Sequence, residues 1–181
     1  VSTEDPKIRN ISLKCGSKVI DRPCELARDN VEMRDVVRHA LKIIFSQGIL
    51  ADYFVLLQPT SPLRTAQHIQ LALQILIKSK AGCTISVTEN EHHPYKSFKL
   101  QRGLLKPLFK SKSLNLNRQE LPKTYRQNGA IYAMPCKLFL KEKSFFVQPA
   151  IPFIMGLQES IDIDTPVDLK MAECLKLKAV H

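Results

Sequence analysis

Apolar residues along this chain switch between two spacings. From Asp29 to Gln47, Met33, Val36, Val37, Ala40, Leu41 and Ile44 recur at helical spacing, and Gly48 offers a stop. Tyr53-Phe54-Val55-Leu56-Leu57 is a continuous apolar run, which predicts a strand buried on both faces. In the next seven residues, Gln58 to Arg64, Pro59 and Pro62 forbid continuation of strand or helix. Thr65 can then cap a helix whose stripe is Ile69, Leu73, Leu76 and Ile77. Cys83 to Val87 and Ala130 to Met134 read as two further strands. At the front, Val1-Ser2-Thr3 looks like the tail of a strand. Ser2 or Thr3 is expected to cap a helix through Pro6, Ile8 and Ile11 to Gly16, and Lys18-Val19-Ile20 reads as a short strand. Near the end, Ser160 to Asp164 predicts a strand. Thr165 follows as cap, Pro166 as first helical residue and Asp168 three residues after the cap. The last helix carries Val167, Met171, Cys174 and Leu175 on one face.

Strands alternating with amphipathic helices predict a mostly parallel sheet covered on both faces. Ligands bind such sheets beyond the carboxyl ends of the strands. Gln58 to Arg64 lies at such an end, and so do Asp162 and Asp164 if their strand runs parallel. Residues 96–158 break the rhythm with alternating lysines, a polar run and proline-rich apolar pieces. That region is expected to leave the core sheet as a lid or as an arm docking on a second subunit. Residues 1–181 are otherwise expected to form one domain.

Composition narrows the function classes. The hydrophobic fraction of 44% and charged fraction of 24% are those of an ordinary globular chain. No apolar run is long enough to span a bilayer, so no membrane association is expected. Five scattered cysteines without a C-x-x-C pair argue against a disulfide framework and a zinc site, and favour a reducing cytoplasm. The net charge of +10 comes from basic residues spread along the whole length. With no arginine-rich tract and no interleaved aromatics, it points to solvated surface and a site for small anions rather than to nucleic acid.

Several residues could carry chemistry. Asp162 and Asp164 are two apart, so an extended strand puts both carboxylates on one face. Two hard oxygen ligands suit Mg²⁺, which completes its shell with water and substrate phosphates. The same pair is also what a polar strand-to-helix turn contains. The Gln58–Arg64 loop offers amide, hydroxyl and guanidinium groups to a polar, acidic ligand, or is an ordinary stiffened loop. Arg118, Arg126 and Asn128 lie in a polar run before a strand. Arginine grips carboxylate or phosphate with two parallel bonds, and Asn128 with Gly129 can turn the chain tightly; a solvated loop is the other reading. Arg22 could reach a nucleotide or belong to the surface. Tyr132, Phe145 and Phe146 could line a pocket or the core.

Five segments recur in order along the chain: Asp21-Arg22-Pro23-Cys24-Glu25-Leu26-Ala27, Leu57-Gln58-Pro59-Thr60-Ser61-Pro62-Leu63-Arg64, Glu91-His92-His93-Pro94, Arg126-Gln127-Asn128-Gly129-Ala130-Ile131-Tyr132 and Ser160-Ile161-Asp162-Ile163-Asp164-Thr165. Together they resemble the acylneuraminate cytidylyltransferases, or CMP-sialic acid synthetases. The second and the last are the specific signals. The resemblance implies a three-layer α/β/α nucleotidyltransferase with a Rossmann-like sheet and a dimerisation arm, working as a homodimer. It implies that the anomeric hydroxyl of a nonulosonic acid attacks the α-phosphorus of CTP and that pyrophosphate leaves. By this resemblance Asp162 and Asp164 hold Mg²⁺. Gln58, Arg126, Asn128 and Tyr132 contact the sugar acid, with Arg118 helping from the dimer arm. Phe145 and Phe146 close the sugar pocket from this chain or its partner, and Arg22 lies near the cytidine.

This sequence departs from the family pattern in two places. The family opens with a strand and a Gly-rich basic loop that cradles the CTP phosphates. By this resemblance the given sequence is expected to begin after the first βα unit, with Val1-Ser2-Thr3 resembling the end of the family's next strand, as a fragment or as a shortened gene product. The expectation is weak or absent synthesis and a poorly stable sheet, with a catalytically inactive fragment that only dimerises or binds ligand as the alternative. Asn30-Val31-Glu32-Met33 stands where many relatives place small hydroxyl residues near the base.

Overall fold

Two strands carry the fold, β4 (Cys83–Glu89) and β7 (Tyr125–Pro135). They lie side by side, antiparallel, inside a four-stranded sheet of order β3-β7-β4-β8, where β3 is Tyr53–Leu56 and β8 is Ala150–Ile154. The computed structural model describes residues 1–178. β8 pairs parallel with β4, and β3 pairs antiparallel with β7. Three of the four strands therefore point the same way, and β7 alone runs against them. The chain reaches β7 through a long excursion instead of a crossover helix, so the strand can enter reversed.

Helices cover both faces. On one side α3 (Ala66–Ser79) sets Ala72 and Leu76 against Ala130, Ile131, Ala133 and Phe153. On the other, α2 (Met33–Ser46) sets Val37 and Leu41, and α4 (Cys136–Glu142) sets Phe139, against Ile85 and Met134. Alternation along β7 produces the division: Ile131 and Ala133 face one layer, Tyr132 and Met134 the other. This is the three-layer α/β/α arrangement. The remaining helix of the C-terminal part, α5 (Pro166–Lys178), begins as its sequence implies. Thr165 Oγ1 accepts from Asp168 N at 3.3 Å, and Asp168 Oδ2 accepts from Thr165 N at 2.8 Å. Its apolar stripe packs less than expected: Val167 and Met171 are exposed, and Ala172 is the buried residue.

The N-terminal unit stands apart. β1 (Ser2–Thr3) and β2 (Ile20–Asp21) form a separate parallel pair joined by α1 (Pro6–Lys14). Asp5, and not Ser2 or Thr3, caps α1: its Oδ1 accepts from Lys7 N at 2.7 Å and Ile8 N at 2.8 Å. Ser2 and Thr3 are occupied by strand pairing. β3 is an edge strand of its sheet, with Tyr53 exposed, so its apolar run is not buried on both faces.

Two other expectations change. Of residues 96–158, the hairpin of β5 (Phe98–Gln101) and β6 (Leu104–Pro107) lies outside the sheet, whereas β7 and β8 belong to it. Polar and proline-rich flanks mask these two strands in the sequence. Residues 161–164 form no strand. A short 3₁₀ turn at Gln158–Ser160 precedes them, and a backbone bond from Ile163 N to Thr60 O, 2.8 Å, ties them to the Gln58–Arg64 loop.

Phe139 is fully buried, with ring centroids 5.0 Å from Phe54 and 5.1 Å from Phe145. Phe139→Ala is expected to remove about 3–5 kcal/mol of stability, measured by urea denaturation. A loss below about 1 kcal/mol would contradict this packing.

Candidate active site

The Gln58–Arg64 loop is held from inside. Arg64 Nη1 donates to Gln58 O at 2.6 Å and to Ser61 O at 2.7 Å. The guanidinium thus stands where a second strand or helical turn would satisfy those carbonyls, and burial lowers its pKa. Ser61 is fully buried; its Oγ donates to Asn128 O at 3.0 Å and lies 3.4 Å from Asp162 Oδ1. The proline-stiffened loop, β7 and the acidic segment therefore meet beside Asn128 and Gly129.

They meet at a break in the ladder. Asn128-Gly129-Ala130-Ile131 stand opposite Ser86 alone, because the β4–β7 register jumps from Ile85↔Tyr132 to Val87↔Gln127. Gly129 has φ +72°, and a Cβ there would stand 2.6 Å from Gln58 Oε1, 3.0 Å from Ser61 Oγ and 3.3 Å from Asp162 Oδ2. Only glycine allows both this backbone turn and this approach of three side chains.

Two clefts open beside this point. One, of about 150 Å³, is lined by Gln58, Tyr132, Phe145 and Phe146, with Met33 and Gln127 beside them. No ionisable group except the Tyr132 phenol lines it. The other, of about 530 Å³, contains Asp162, Asp164, Asp168, Arg126 and Glu91. Asp168 is engaged as the cap of α5, and its bonds from Thr165 hold its pKa below the usual range. Asp162, Asp164 and Glu91 are the carboxylates left to face a ligand. The charged cleft is electrostatically coupled to the neutral one: burial, and then the Asp162 carboxylate, raise the pKa of Tyr132.

No protein-family model matches the chain. A CMP-N,N'-diacetyllegionaminic acid synthase of Legionella pneumophila is 31% identical over 97% of this chain and 76% of its own length. The chain belongs to the CMP-nonulosonic acid cytidylyltransferase family. An N-acylneuraminate cytidylyltransferase of Streptococcus agalactiae is 32% identical over 93% of this chain, which spans 40% of that enzyme. A pseudaminic acid cytidylyltransferase of Campylobacter jejuni is 28% identical over 97% of the chain and 76% of its own length. Among solved structures, a CMP:2-keto-3-deoxy-manno-octonic acid synthetase complexed with CTP aligns over 99% of this chain and 80% of its own. Its TM-score is 0.65 at 15% identity, which shows the nucleotidyltransferase fold.

In this cytidylyltransferase chain the expected residues separate into three groups. Asp162, Asp164 and Arg126 share the charged cleft, and Gln58, Tyr132, Phe145 and Phe146 share the neutral one. Both phenylalanines reach it from the chain itself: the Phe145 ring lies 5.8 Å from that of Tyr132. Asn128 lies between the clefts but reaches neither. It is 1% exposed, and its amide is fully engaged by protein groups, because a buried amide must find partners. Arg118 donates to Asn90 O at 2.9 Å, next to Glu91 of the charged cleft, and is itself among the lining residues of neither cleft. Arg22 is paired with Glu4 at 2.6 Å beside β1 and β2. Ser61, Gln127 and Gly129 lie in the segments that carry the resemblance, and Met33 in the stretch expected near the base; the structure adds that Met33 and Gln127 line the neutral cleft and that Ser61 and Gly129 stand beside Asp162.

Among the described residues no group of three His, Cys, Asp or Glu side chains forms a metal cage. Two aspartates on a loop in an open cleft still fit Mg²⁺, which binds through one or two carboxylates plus substrate phosphates.

Gly129→Ala is expected to cost about 1–3 kcal/mol through its left-handed backbone and to displace Gln58, measured by thermal unfolding and ligand titration. A variant with unchanged stability and binding would contradict the close approach. Tyr132 is expected to titrate above ordinary phenols. Asp162→Asn removes the repelling charge, so the pKa should fall part-way back while the effect of burial stays. Ultraviolet difference titration against Tyr132→Phe measures this; no movement would place Asp162 too far away to act.

Proposed function

We propose that this chain transfers the cytidylyl group of CTP to a nonulosonic acid, giving the CMP-sugar and pyrophosphate. The observation that carries this reading is the joining of the Gln58–Arg64 loop and the Asp162 segment beside Asn128 and Gly129, through Ser61 and the Ile163–Thr60 bond. An anionic triphosphate belongs in the larger cleft. There Arg126 supplies positive charge, and Asp162 with Asp164 would hold Mg²⁺. The bound metal would neutralise charge on the phosphates. The sugar acid belongs in the neutral cleft, with its polar groups on Gln58, Gln127 and Tyr132 and its carbon skeleton against Phe145 and Phe146. The anomeric oxygen forms a bond to the α-phosphorus, the bond from that phosphorus to the β-phosphate oxygen breaks, and the hydroxyl proton is released. Such transfers depend mainly on positioning and charge neutralisation. Gly129 would aid the positioning, because Gln58 and Asp162 both approach the space that a side chain there would fill.

The proposal extends to assembly and compartment. Phe98, Leu100, Leu104 and Leu105 are exposed on the β5–β6 hairpin, an apolar surface suited to docking on a second copy. Arg118 lies on the same excursion and would act from that dimer arm. Five free cysteines, three of them exposed, suit the reducing cytoplasm. Among the described residues no helix is long and apolar enough to cross a membrane.

One observation favours a second reading, a chain that binds ligand or dimerises without turnover. The β1–β2 pair makes no ladder with the four-stranded sheet, and β3 has an unpaired outer edge among the described residues. Titration with CTP in the presence of Mg²⁺ and measurement of pyrophosphate release with N-acetylneuraminic, legionaminic and pseudaminic acids separate the two. The expected outcome is metal-dependent CTP binding and release with at least one acid. Chelation should abolish release, and Asp162→Asn should slow it on the order of 100-fold or more. Binding without release from any of the acids supports the second reading; neither binding nor release overturns the first reading and the ligand-binding form of the second, and a monomer by light scattering overturns its dimerising form.

A further inference from the structure

We infer that Asn128 is a positioning residue: through Ser160 and Ser61 its buried amide and carbonyl hold the Asp162 carboxylate at the mouth of the charged cleft. Four segments converge on this one residue. Ser86 Oγ, from β4, donates to Asn128 Oδ1 at 2.5 Å while accepting from Ile131 N at 2.7 Å. Asn128 Nδ2 donates to Ser160 Oγ at 2.8 Å and reaches Met155 Sδ at 3.4 Å. Ser160 Oγ in turn donates to Gly156 O at 2.6 Å, which closes the 3₁₀ turn two residues before Asp162. The Asn128 carbonyl accepts from Ser61 Oγ, the hydroxyl that lies 3.4 Å from Asp162 Oδ1.

Asp162 therefore lies between two groups that Asn128 holds: Ser160, two residues back along the chain, and the Ser61 hydroxyl, 3.4 Å from its carboxylate. The segment 161–164 has no strand ladder of its own; besides these groups it is held by the Ile163 N–Thr60 O bond and by Asp164 N donating to Asp168 Oδ2 at 3.2 Å. Asn128, Ser86 and Ser160 are each at most 1% exposed, which excludes water from competing for these bonds. An apolar residue at 128 would leave Ser160 Oγ without its donor and Ala130 N without its acceptor, which takes up that amide at 3.2 Å. The bond partners of a metal-binding carboxylate orient it, and losing such a partner weakens metal binding about 10–100-fold.

The inference rests on the proposed metal role of Asp162, and the test separates the two. Mn²⁺, a paramagnetic stand-in for Mg²⁺, is titrated in the presence of CTP and followed by electron paramagnetic resonance. The wild-type protein is compared with Asn128→Ala, Ser160→Ala and, as a stability control, Leu76→Ala in α3. Hydrogen exchange of residues 157–165 is measured on the same proteins. The expected result is Mn²⁺ binding weakened about 10-fold or more in Ser160→Ala and Asn128→Ala, with faster exchange confined to 157–165. Leu76→Ala should lose stability and keep its Mn²⁺ affinity. If Asn128→Ala does not fold, Ser160→Ala decides alone. Unchanged Mn²⁺ binding in the Ser160 variant overturns the positioning role and leaves the metal reading standing. Absence of Mn²⁺ binding by the wild-type protein overturns the metal reading and this inference with it.

Discussion

Everything at this site depends on satisfying backbone groups freed by one break in a sheet. Where β7 bulges away from β4, the regular ladder stops in the most buried part of the molecule. Buried peptide groups without partners are costly, so side chains must replace the ladder. Ser86 takes the amide of Ile131, Asn128 takes that of Ala130, and Ser61 serves the carbonyl of Asn128. Those substitutions bring the Gln58–Arg64 loop and the Asp162 segment to the same place. The geometry that offers a ligand two clefts is the geometry that repairs the sheet.

The break also sorts the surroundings by charge. On one side lie amides, rings and a phenol; on the other lie aspartates and an arginine. Gly129 stands between them with no side chain, so the two clefts adjoin rather than being walled apart. A reaction that joins a sugar to a metal-bearing triphosphate needs this adjacency, because the attacking oxygen and the phosphorus must come within bonding reach. The Tyr132 phenol, raised by burial and then by the Asp162 carboxylate, is placed to feel the other cleft's charge.

Much of the layer structure is written plainly in the chain. Helical stripes in α2 and α3, the apolar runs of β3 and β4, and the Thr165-Pro166-Asp168 cap all appear where their patterns put them. β8 and the full length of β7 were hidden. Pro152 and the polar run before Ala130 hide strand character that neighbouring strands impose in the folded state. The reversed direction of β7 was equally silent, since an apolar run reads the same both ways. Asn128 shows the opposite failure. Its residue type suggests a ligand contact, and only the burial of its amide reveals an internal role.

Sequence alone therefore determined the family and the helical and strand patterns, and it supplied the candidates for the proposed chemistry: the acidic pair, the glutamine loop, Arg126, Tyr132 and the two phenylalanines. Residue type carries that much, because carboxylate, amide, guanidinium and phenol groups are themselves what holds a ligand. The tertiary structure decided which of them share a cleft and which are spent on holding the chain together, and it ties the Asp162 segment to the Gln58–Arg64 loop by the Ile163–Thr60 backbone bond instead of a strand. Those outcomes depend on contacts between residues up to a hundred positions apart, such as Ser61 and Asp162, and no local spacing records them.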